Sequence, residues 1–298
     1  PYTTLFRSGA SGNLAGVLRP LPSVDDNRLA RLTRAGFLEA CRHFASLTAA
    51  GLPLRWAQTG VLHLARDDTH AATQQRVVDV QQPAADYLRF VDRGEASQLA
   101  GWPVTHGGWW FPGGGWVDPA SLCRANIARH AVAIKAHYGS RVAEVERRAG
   151  LWRAYAGGGA VIAEAPVLIL ANATDAGRFA VAAHLPLRAA RGQVSHLPAA
   201  AGSAPDIVVC RLGYVTPAID GLRCAGATFS IDDGETTLRI ADHAENLARL
   251  DFILPGYVKG IQPADLGGRV GFRPLAPDRL PMVGALPDTS EEHTSELQ

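Results

Sequence analysis

Two glycine-rich segments contain the residues whose types and spacing could support chemistry. One is Gly9-Ala-Ser-Gly-Asn13, and the other is the turn Pro112–Gly115, which separates two aromatic runs. Small residues let backbone N–H groups approach a ligand closely, as in an anion- or cofactor-facing nest. Neither segment has the GxGxxG spacing of a dinucleotide fingerprint. They therefore indicate a flat or anionic ligand without naming it, and a packed glycine hairpin is the alternative interpretation of the second.

Composition and charge exclude several classes of protein. The 298 residues carry a net charge of +1, which does not favour a nucleic-acid-binding module. No apolar run reaches the roughly 20 residues that a membrane helix needs. The cysteines are scattered and have neither CxxC nor Cys/His ligand spacing. We therefore expect reduced core thiols in a cytoplasmic protein, without a metal site or a membrane segment.

Capping residues predict where the helices that position these segments begin. Asp25-Asp26-Asn27 precedes an apolar pattern of helical spacing from Arg28 to Ala49. Asp118 stands immediately before Pro119, which suits the first helical position because its missing N–H costs nothing there. The glycine hairpin of Trp109–Val117 is thus expected to lead directly into a capped helix.

Strand patterns predict where a ligand would lie. Val167–Leu170 is a continuous apolar run, which is typical of a strand buried on both faces, and it ends in the small-residue loop Ala171–Thr174. Open α/β sheets place ligands at the carboxyl ends of such strands. A short strand is expected at Ala131–His137, and the Gly157–Gly159 turn favours a three-stranded meander.

The two ends of the chain differ in pattern and composition from their neighbours. Pro1–Ser8 and Ser290–Gln298 are expected to be tails derived from adapter sequence, and we exclude them from reasoning about the fold. Gly9–Asp288 is then expected to be an internal fragment of a longer protein.

Four blocks together resemble FAD-dependent amine oxidoreductases of the D-amino-acid oxidase and glycine oxidase type. Within that superfamily the sequence is most similar to the oxidoreductase half of bifunctional enzymes that modify the tRNA wobble uridine. The blocks occur in the family's order and are Gly9–Asn13, Gly107–Arg124, Val167–Ala173, and Gly271-Phe-Arg-Pro with Asp278–Gly284.

The resemblance implies an α/β (α+β) fold in which a Rossmann-like FAD-binding domain is intertwined with an antiparallel-sheet substrate domain. Residues 9–50, 107–181 and 271–288 would form the first domain, and residues 51–106 and 182–270 the second. The family's GxGxxG unit would lie before Gly9 and its closing glycine-rich segment after Asp288. We therefore expect a domain truncated at both ends that holds FAD poorly in this fragment.

The resemblance also implies a reaction and its partners. FAD would oxidise the secondary amine of a 5-carboxymethylaminomethyl group on the wobble uridine of tRNA, and the carboxymethyl arm would leave as glyoxylate. An S-adenosylmethionine-dependent methyltransferase domain would precede this half in the same chain.

Site residues follow from the same resemblance. Arg273 would grip the substrate carboxylate bidentately, although a surface charge is the alternative, and Tyr214 would share that carboxylate or simply pack as a strand aromatic. Residues expected to contact the flavin or its adenosine side are Ser11, Gly12, Asn13, Val142 and Ala171. Arg191 and Gln193 are interpreted as pocket residues or as a strand start, with the second favoured.

Two other functions stay open at this point. One is a free-standing amine oxidoreductase acting on glycine or sarcosine. The other is an RNA-binding module that kept the fold without the flavin.

Overall fold

The computed structural model describes residues 9–200, 202–278 and 280–286. The proposed tails, residues 1–8 and 290–298, lie outside the described residues. The helices are α1 (Arg28–Ala49), α2 (Asp68–Gln81), α3 (Arg93–Ala100), α4 (Pro119–Arg129) and α5 (Ile240–Ile253), together with short 3-10 turns that include Ala10–Gly12 and Ala173–Arg178. The strands are β1 (Gly16–Leu18), β2 (Trp56–Ala57), β3 (Val61–Leu64), β4 (Arg89–Val91), β5 (Gly108–Phe111), β6 (Gly115–Val117), β7 (Glu144–Arg148), β8 (Leu151–Tyr155), β9 (Val161–Ala165), β10 (Arg188–Pro198), β11 (Val208–Cys210), β12 (Tyr214–Val215), β13 (Leu222–Gly226), β14 (Ser230–Ile231) and β15 (Gly267–Leu275).

Both predicted helix starts are confirmed. The Asn27 side chain accepts a hydrogen bond from the Ala30 N–H at 3.1 Å, and α1 begins at the next residue, Arg28. The Asp118 carboxylate accepts from the N–H groups of Ala120 (2.8 Å) and Ser121 (3.1 Å) at the start of α4. These bonds satisfy donors that the first turn of a helix otherwise leaves unpaired.

A nine-stranded sheet dominates the described structure. Its order is β14-β10-β13-β12-β11-β3-β5-β4, and β15 pairs along β10. The parallel pairing of β3 with β11 joins strands from the two sequence blocks assigned to the substrate domain. The sheet also contains β5 and β15, which extend past the proposed boundaries at residues 107 and 271. Those boundaries stay a prediction.

The expected glycine hairpin is wrong, because β5 and β6 belong to different sheets. β5 pairs with β3 and β4, whereas β6 pairs with β1 and β2. The glycines make a corner between the sheets: a Cβ on Gly115 would lie 1.9 Å from the Ala57 carbonyl oxygen. Gly60 makes the matching corner between β2 and β3, and its N–H donates to the Gly114 oxygen at 2.9 Å. Close backbone approach, rather than a tight reversal, is therefore what requires glycine here.

The strands predicted at Ala131–His137 and Val167–Leu170 are absent from the structure. The second run is exposed, since Val167 retains 69% and Ile169 82% of its accessible surface. A strand needs a neighbour to receive its backbone hydrogen bonds, and the described residues place none beside this run. The meander is confirmed as the antiparallel sheet β7-β8-β9.

Apolar clusters cover both faces of the large sheet. Leu62, Val209 and Val215 point to the face on which α3 and α5 pack, which we call the α5 face. Cys210 belongs to the cluster on the opposite side, and Tyr214 packs against it. We call this side the Tyr214 face. Because strand residues alternate between faces, the register of each pair assigns every other side chain to one of them.

Candidate functional site

Strand register brings Arg273 to the Tyr214 face. Arg191, Gln193 and Ser195 of β10 bond to residues of α5 or of the segment before it, so the residues between them point the other way. In the antiparallel pairing with β15, Ala190 lies opposite Arg273, Gly192 opposite Gly271, and Val194 opposite Arg269. Arg269, Gly271 and Arg273 therefore share the face on which Tyr214 lies.

The Gly9–Asn13 loop packs on this same part of β15. Its 3-10 turn is closed by bonds from the Gly12 N–H to the Gly9 oxygen (3.0 Å) and from the Asn13 N–H to the Ala10 oxygen (3.2 Å). A Cβ on Gly271 would lie only 3.2 Å from Ala10 Cα, so glycine permits the close approach. The loop predicted to contact the flavin thus lies against the strand that carries Arg273.

The Tyr214 hydroxyl lies in a largely apolar environment beside a thiol. Its oxygen is 3.5 Å from Cys224 Sγ. Burial first, and then Cys224, hold the pKa of Tyr214 well above its usual value, while the positive charge of Arg273 acts in the opposite direction. Burial also raises the pKa of Cys224 to about 11. At neutral pH both groups therefore keep their protons, and the Tyr214 hydroxyl can donate a hydrogen bond.

Arg273 is exposed, and within the described ranges its guanidinium makes no hydrogen bond or ion pair. It is close enough to act electrostatically on the pKa of Tyr214. The two residues predicted to hold a carboxylate are therefore near each other on one face. A guanidinium without a protein carboxylate beside it is suited to bind one from a ligand.

The residues predicted to contact the flavin or its adenosine side differ in exposure. Ser11 is exposed, while Gly12 and Asn13 are half-buried, and the Asn13 Oδ1 atom has no hydrogen-bond partner among the described residues. Val142 lies in the coil before β7 and is half-buried. Ala171 is exposed and precedes the turn Ala173–Arg178, which contacts β15. Their roles in binding a cofactor stay predictions.

Sequence reasoning overlooked Arg269 as a candidate site residue, and for Arg191 it favoured a strand position, which the structure shows within β10. Arg191 is fully buried and pairs with Asp242, and it also donates to the carbonyl oxygens of Glu235 (2.7 Å) and Thr237 (2.8 Å). It lies on the α5 face and braces β10 against the chain that leads into α5. No local pattern marks such an arginine as buried, because its partners are about 50 residues away.

The residues present fit a flavin on the Tyr214 face. The polar Asn13 Oδ1 atom is buried beside this face without a hydrogen-bond partner among the described residues, so it could accept a hydrogen bond from the cofactor. Among the described residues no group of His, Cys, Asp or Glu could hold a metal ion. In the same part of the chain, no helix is long and apolar enough to cross a membrane.

Comparison with known proteins agrees with this geometry. A family model described as FAD dependent oxidoreductase matches residues 4–294. The tRNA 5-methylaminomethyl-2-thiouridine biosynthesis bifunctional protein MnmC of Aromatoleum aromaticum is 61% identical over 94% of this chain, and the MnmC of Azoarcus sp. is 57% identical over 94%. In both cases the match covers only 44% of the relative, so the chain spans less than half the length of these curated proteins.

Solved structures share the fold at low sequence identity. Glycine oxidase from Geobacillus kaustophilus superposes with a TM-score of 0.75 at 19% identity, covering 95% of this chain and 78% of that one. Iminodiacetate oxidase from Chelativorans sp. gives 0.71 at 24% identity, covering 91% and 76%. The resemblance deduced from the four sequence blocks is thus confirmed at the level of the family. With a family match over nearly its whole length and this fold, the chain belongs to the D-amino-acid oxidase (DAO) family of FAD-dependent oxidoreductases.

Proposed function

We propose that this chain is the oxidoreductase part of a bifunctional tRNA-modifying enzyme. It would oxidise the carboxymethylaminomethyl group of a wobble uridine and release the carboxymethyl arm as glyoxylate. The observation that carries this proposal is the presence of Arg273, Tyr214 and the Gly9–Asn13 loop on one face of one sheet. The names of the relatives that are 61% and 57% identical support the choice of a tRNA substrate.

Arg273 binds the carboxylate of the substrate arm in this proposal. Its exposed guanidinium offers two parallel N–H donors, and charge-assisted bonds of this kind fix orientation as well as adding affinity. The Tyr214 hydroxyl, which stays protonated because of its raised pKa, donates to the same carboxylate. Two contacts to one carboxylate would fix the orientation of the carboxymethyl arm on this face of the sheet.

Ser11, Gly12 and Asn13 would hold FAD through the loop on β15, with Val142 and Ala171 on the adenosine side. FAD, when bound, supplies the hydride acceptor for oxidation of the C–N bond. The substrate imine then hydrolyses with water. No residue of the site needs to act as an obligatory base, because a neutral amine can give up the hydride directly.

The remaining length of the relatives suggests the partners. A methyltransferase domain in the same polypeptide would methylate the amine that this half exposes. The substrate would be tRNA, so the enzyme would act in the cytoplasm. Phosphate contacts outside the site would supply most of the affinity for tRNA.

A free-standing amine oxidase is the second candidate, because the described fold matches glycine oxidase with a TM-score of 0.75. Turnover distinguishes the two. The protein, extended to the length of its relatives, should oxidise tRNA bearing the carboxymethylaminomethyl group and produce glyoxylate. Free glycine, sarcosine and iminodiacetate should be oxidised at least a hundredfold less efficiently. Efficient turnover of free glycine with no product from the tRNA would overturn the proposal, and bound tRNA without any flavin would favour an RNA-binding module.

A further inference from the structure

The strand β15 carries two arginines on the Tyr214 face, and their surroundings differ. Arg269 and Arg273 lie on either side of Gly271, each separated from it by one residue of the opposite face. The Arg269 Nη2 atom donates to the Gly9 carbonyl oxygen at 2.8 Å. Arg273 is exposed and makes no such bond in the described part of the chain. The same residue type at two equivalent positions therefore has two different environments.

We propose that Arg269 is a positioning residue that holds the Gly9–Asn13 loop in place for FAD. This inference rests on the proposed function, in which that loop contacts the cofactor. The two arginines of β15 then have different roles. Arg269 holds the cofactor loop through its hydrogen bond to Gly9, and Arg273 remains available to the substrate carboxylate.

The contact is made at the atom that closes the loop. The Gly9 oxygen already accepts the Gly12 N–H at 3.0 Å, so the bond from Arg269 is a second one to the same carbonyl. Ala10, the next residue, is packed against Gly271. Two residues of β15 therefore hold the turn: Arg269 through a charged hydrogen-bond donor, and Gly271 through close backbone contact.

Charge and burial around Arg269 favour a holding role over ligand binding. Burial lowers the pKa of Arg269, which means that its guanidinium is partly removed from water. On the neighbouring strand, burial and then Arg269 lower the pKa of His196, so that imidazole stays neutral at pH 7. A carbonyl dipole is a suitable partner for a partly buried guanidinium, because a hydrogen bond to a charged group is stronger than one between neutral groups.

Hydrogen exchange on this 298-residue chain tests the first half of the inference. Arg269→Gln should speed the exchange of the Gly12 and Asn13 amides roughly tenfold, because one charge-assisted bond is lost. Arg269→Lys keeps a cation that can reach Gly9, so its exchange rates should lie between those of the parent protein and of Arg269→Gln. Arg273→Gln is the matched control on the same strand, and it should leave both amides unchanged. An unchanged rate in Arg269→Gln, with the thermal midpoint retained, would overturn the proposal.

Cofactor affinity tests the second half, in the protein extended to the length of its relatives. By flavin fluorescence, Arg269→Gln should weaken the Kd for FAD roughly tenfold, and Arg269→Lys should recover part of that loss. Acetate, used as the carboxylate probe, should perturb the flavin absorbance in Arg269→Gln as in the parent protein but not in Arg273→Gln. Faster exchange with an unchanged FAD affinity would show a merely structural role. If the parent protein binds no FAD, the proposed function itself fails, while the exchange rates still decide whether Arg269 holds the loop.

Discussion

The large sheet and the segment from residue 131 to residue 170 differ in which side chains they bury. In the sheet even arginines are fully buried, as at Arg191 and Arg223, and their N–H groups donate to carbonyl and carboxylate oxygens. In the segment even apolar side chains are exposed, as at Val167 (69%) and Ile169 (82%). Residue type therefore did not decide burial in either region. Burial depended on whether neighbouring groups were available to accept hydrogen bonds or to pack against the side chain.

Breaking the Arg191–Asp242 pair should have the largest effect. Arg191→Met leaves a largely buried carboxylate without its cation, and such losses cost about 3–5 kcal/mol of the free energy of unfolding. Urea denaturation followed by circular dichroism measures this cost. The matched control is Arg239→Met, because Arg239 pairs with Asp233 at the surface. It should shift the midpoint far less, since water screens exposed pairs. Equal shifts would mean that burial does not distinguish the two pairs.

Arg273 sharpens the comparison, because it is an exposed charge whose loss should affect turnover rather than folding. In the extended protein Arg273→Ala should lower kcat/KM for carboxymethyl-bearing tRNA at least about a hundredfold, since it removes two charge-assisted hydrogen bonds. Arg273→Lys keeps the positive charge but loses the two parallel N–H donors of the guanidinium. Its kcat/KM should lie between those of the parent protein and of Arg273→Ala. Flavin content and the affinity for tRNA should barely change.

The control for this prediction is Arg93→Ala, an exposed arginine on α3 at the opposite face. It should leave kcat/KM unaltered. Near-normal turnover in Arg273→Ala with flavin bound would show that another group holds the carboxylate.

Buried and half-buried histidines in the sheet region should make stability depend on pH. Burial lowers the pKa of His63, His196 and His243 from the usual 6.5, and most strongly at His63. Below pH 6.5 the unfolded chain takes up protons that the folded chain does not. The free energy of unfolding therefore decreases as the pH is lowered. The slope from each such group is at most about 1.4 kcal/mol per pH unit.

Denaturation midpoints between pH 8 and pH 5 check this expectation, with His63→Phe as the comparison variant. The variant should show a shallower decline, because one titrating group has been removed. An identical pH profile in parent and variant would contradict the assignment of a lowered pKa to His63.

The exposed apolar run should give the smallest effect. Val167→Ser and Ile169→Ser should each change the free energy of unfolding of this chain by less than about 0.5 kcal/mol, as is usual for surface sites. Val209→Ser, at a fully buried position of the sheet, is the contrasting variant and should be clearly destabilised. A loss at Ile169 as large as that at Val209 would mean that the run is covered in solution, and the contrast between the two regions would fail.

Local chemistry in the sequence determined the helix starts and the family. Asn27 and Asp118 cap α1 and α4 through residues two or three positions ahead, so their effect could be predicted without knowing the fold. The four sequence blocks likewise indicated an FAD-dependent oxidoreductase, which the family match confirms. The caps act within one helical turn, and the four blocks can be recognised from residue types and their order along the chain, without knowledge of the fold.

Tertiary structure alone decided the features that depend on distant partners. The run Val167–Leu170 has the composition of a buried strand, but a strand exists only where a neighbour receives its hydrogen bonds. Gly115 makes a corner because of the carbonyl of Ala57, about 60 residues earlier in the chain. Arg269 and Arg273 occupy equivalent positions of β15, and among the described contacts the bond from Arg269 to the loop that packs at Gly271 distinguishes them. Sequence specifies residue type and local spacing, whereas strand register and packing bring together groups that are far apart in the chain.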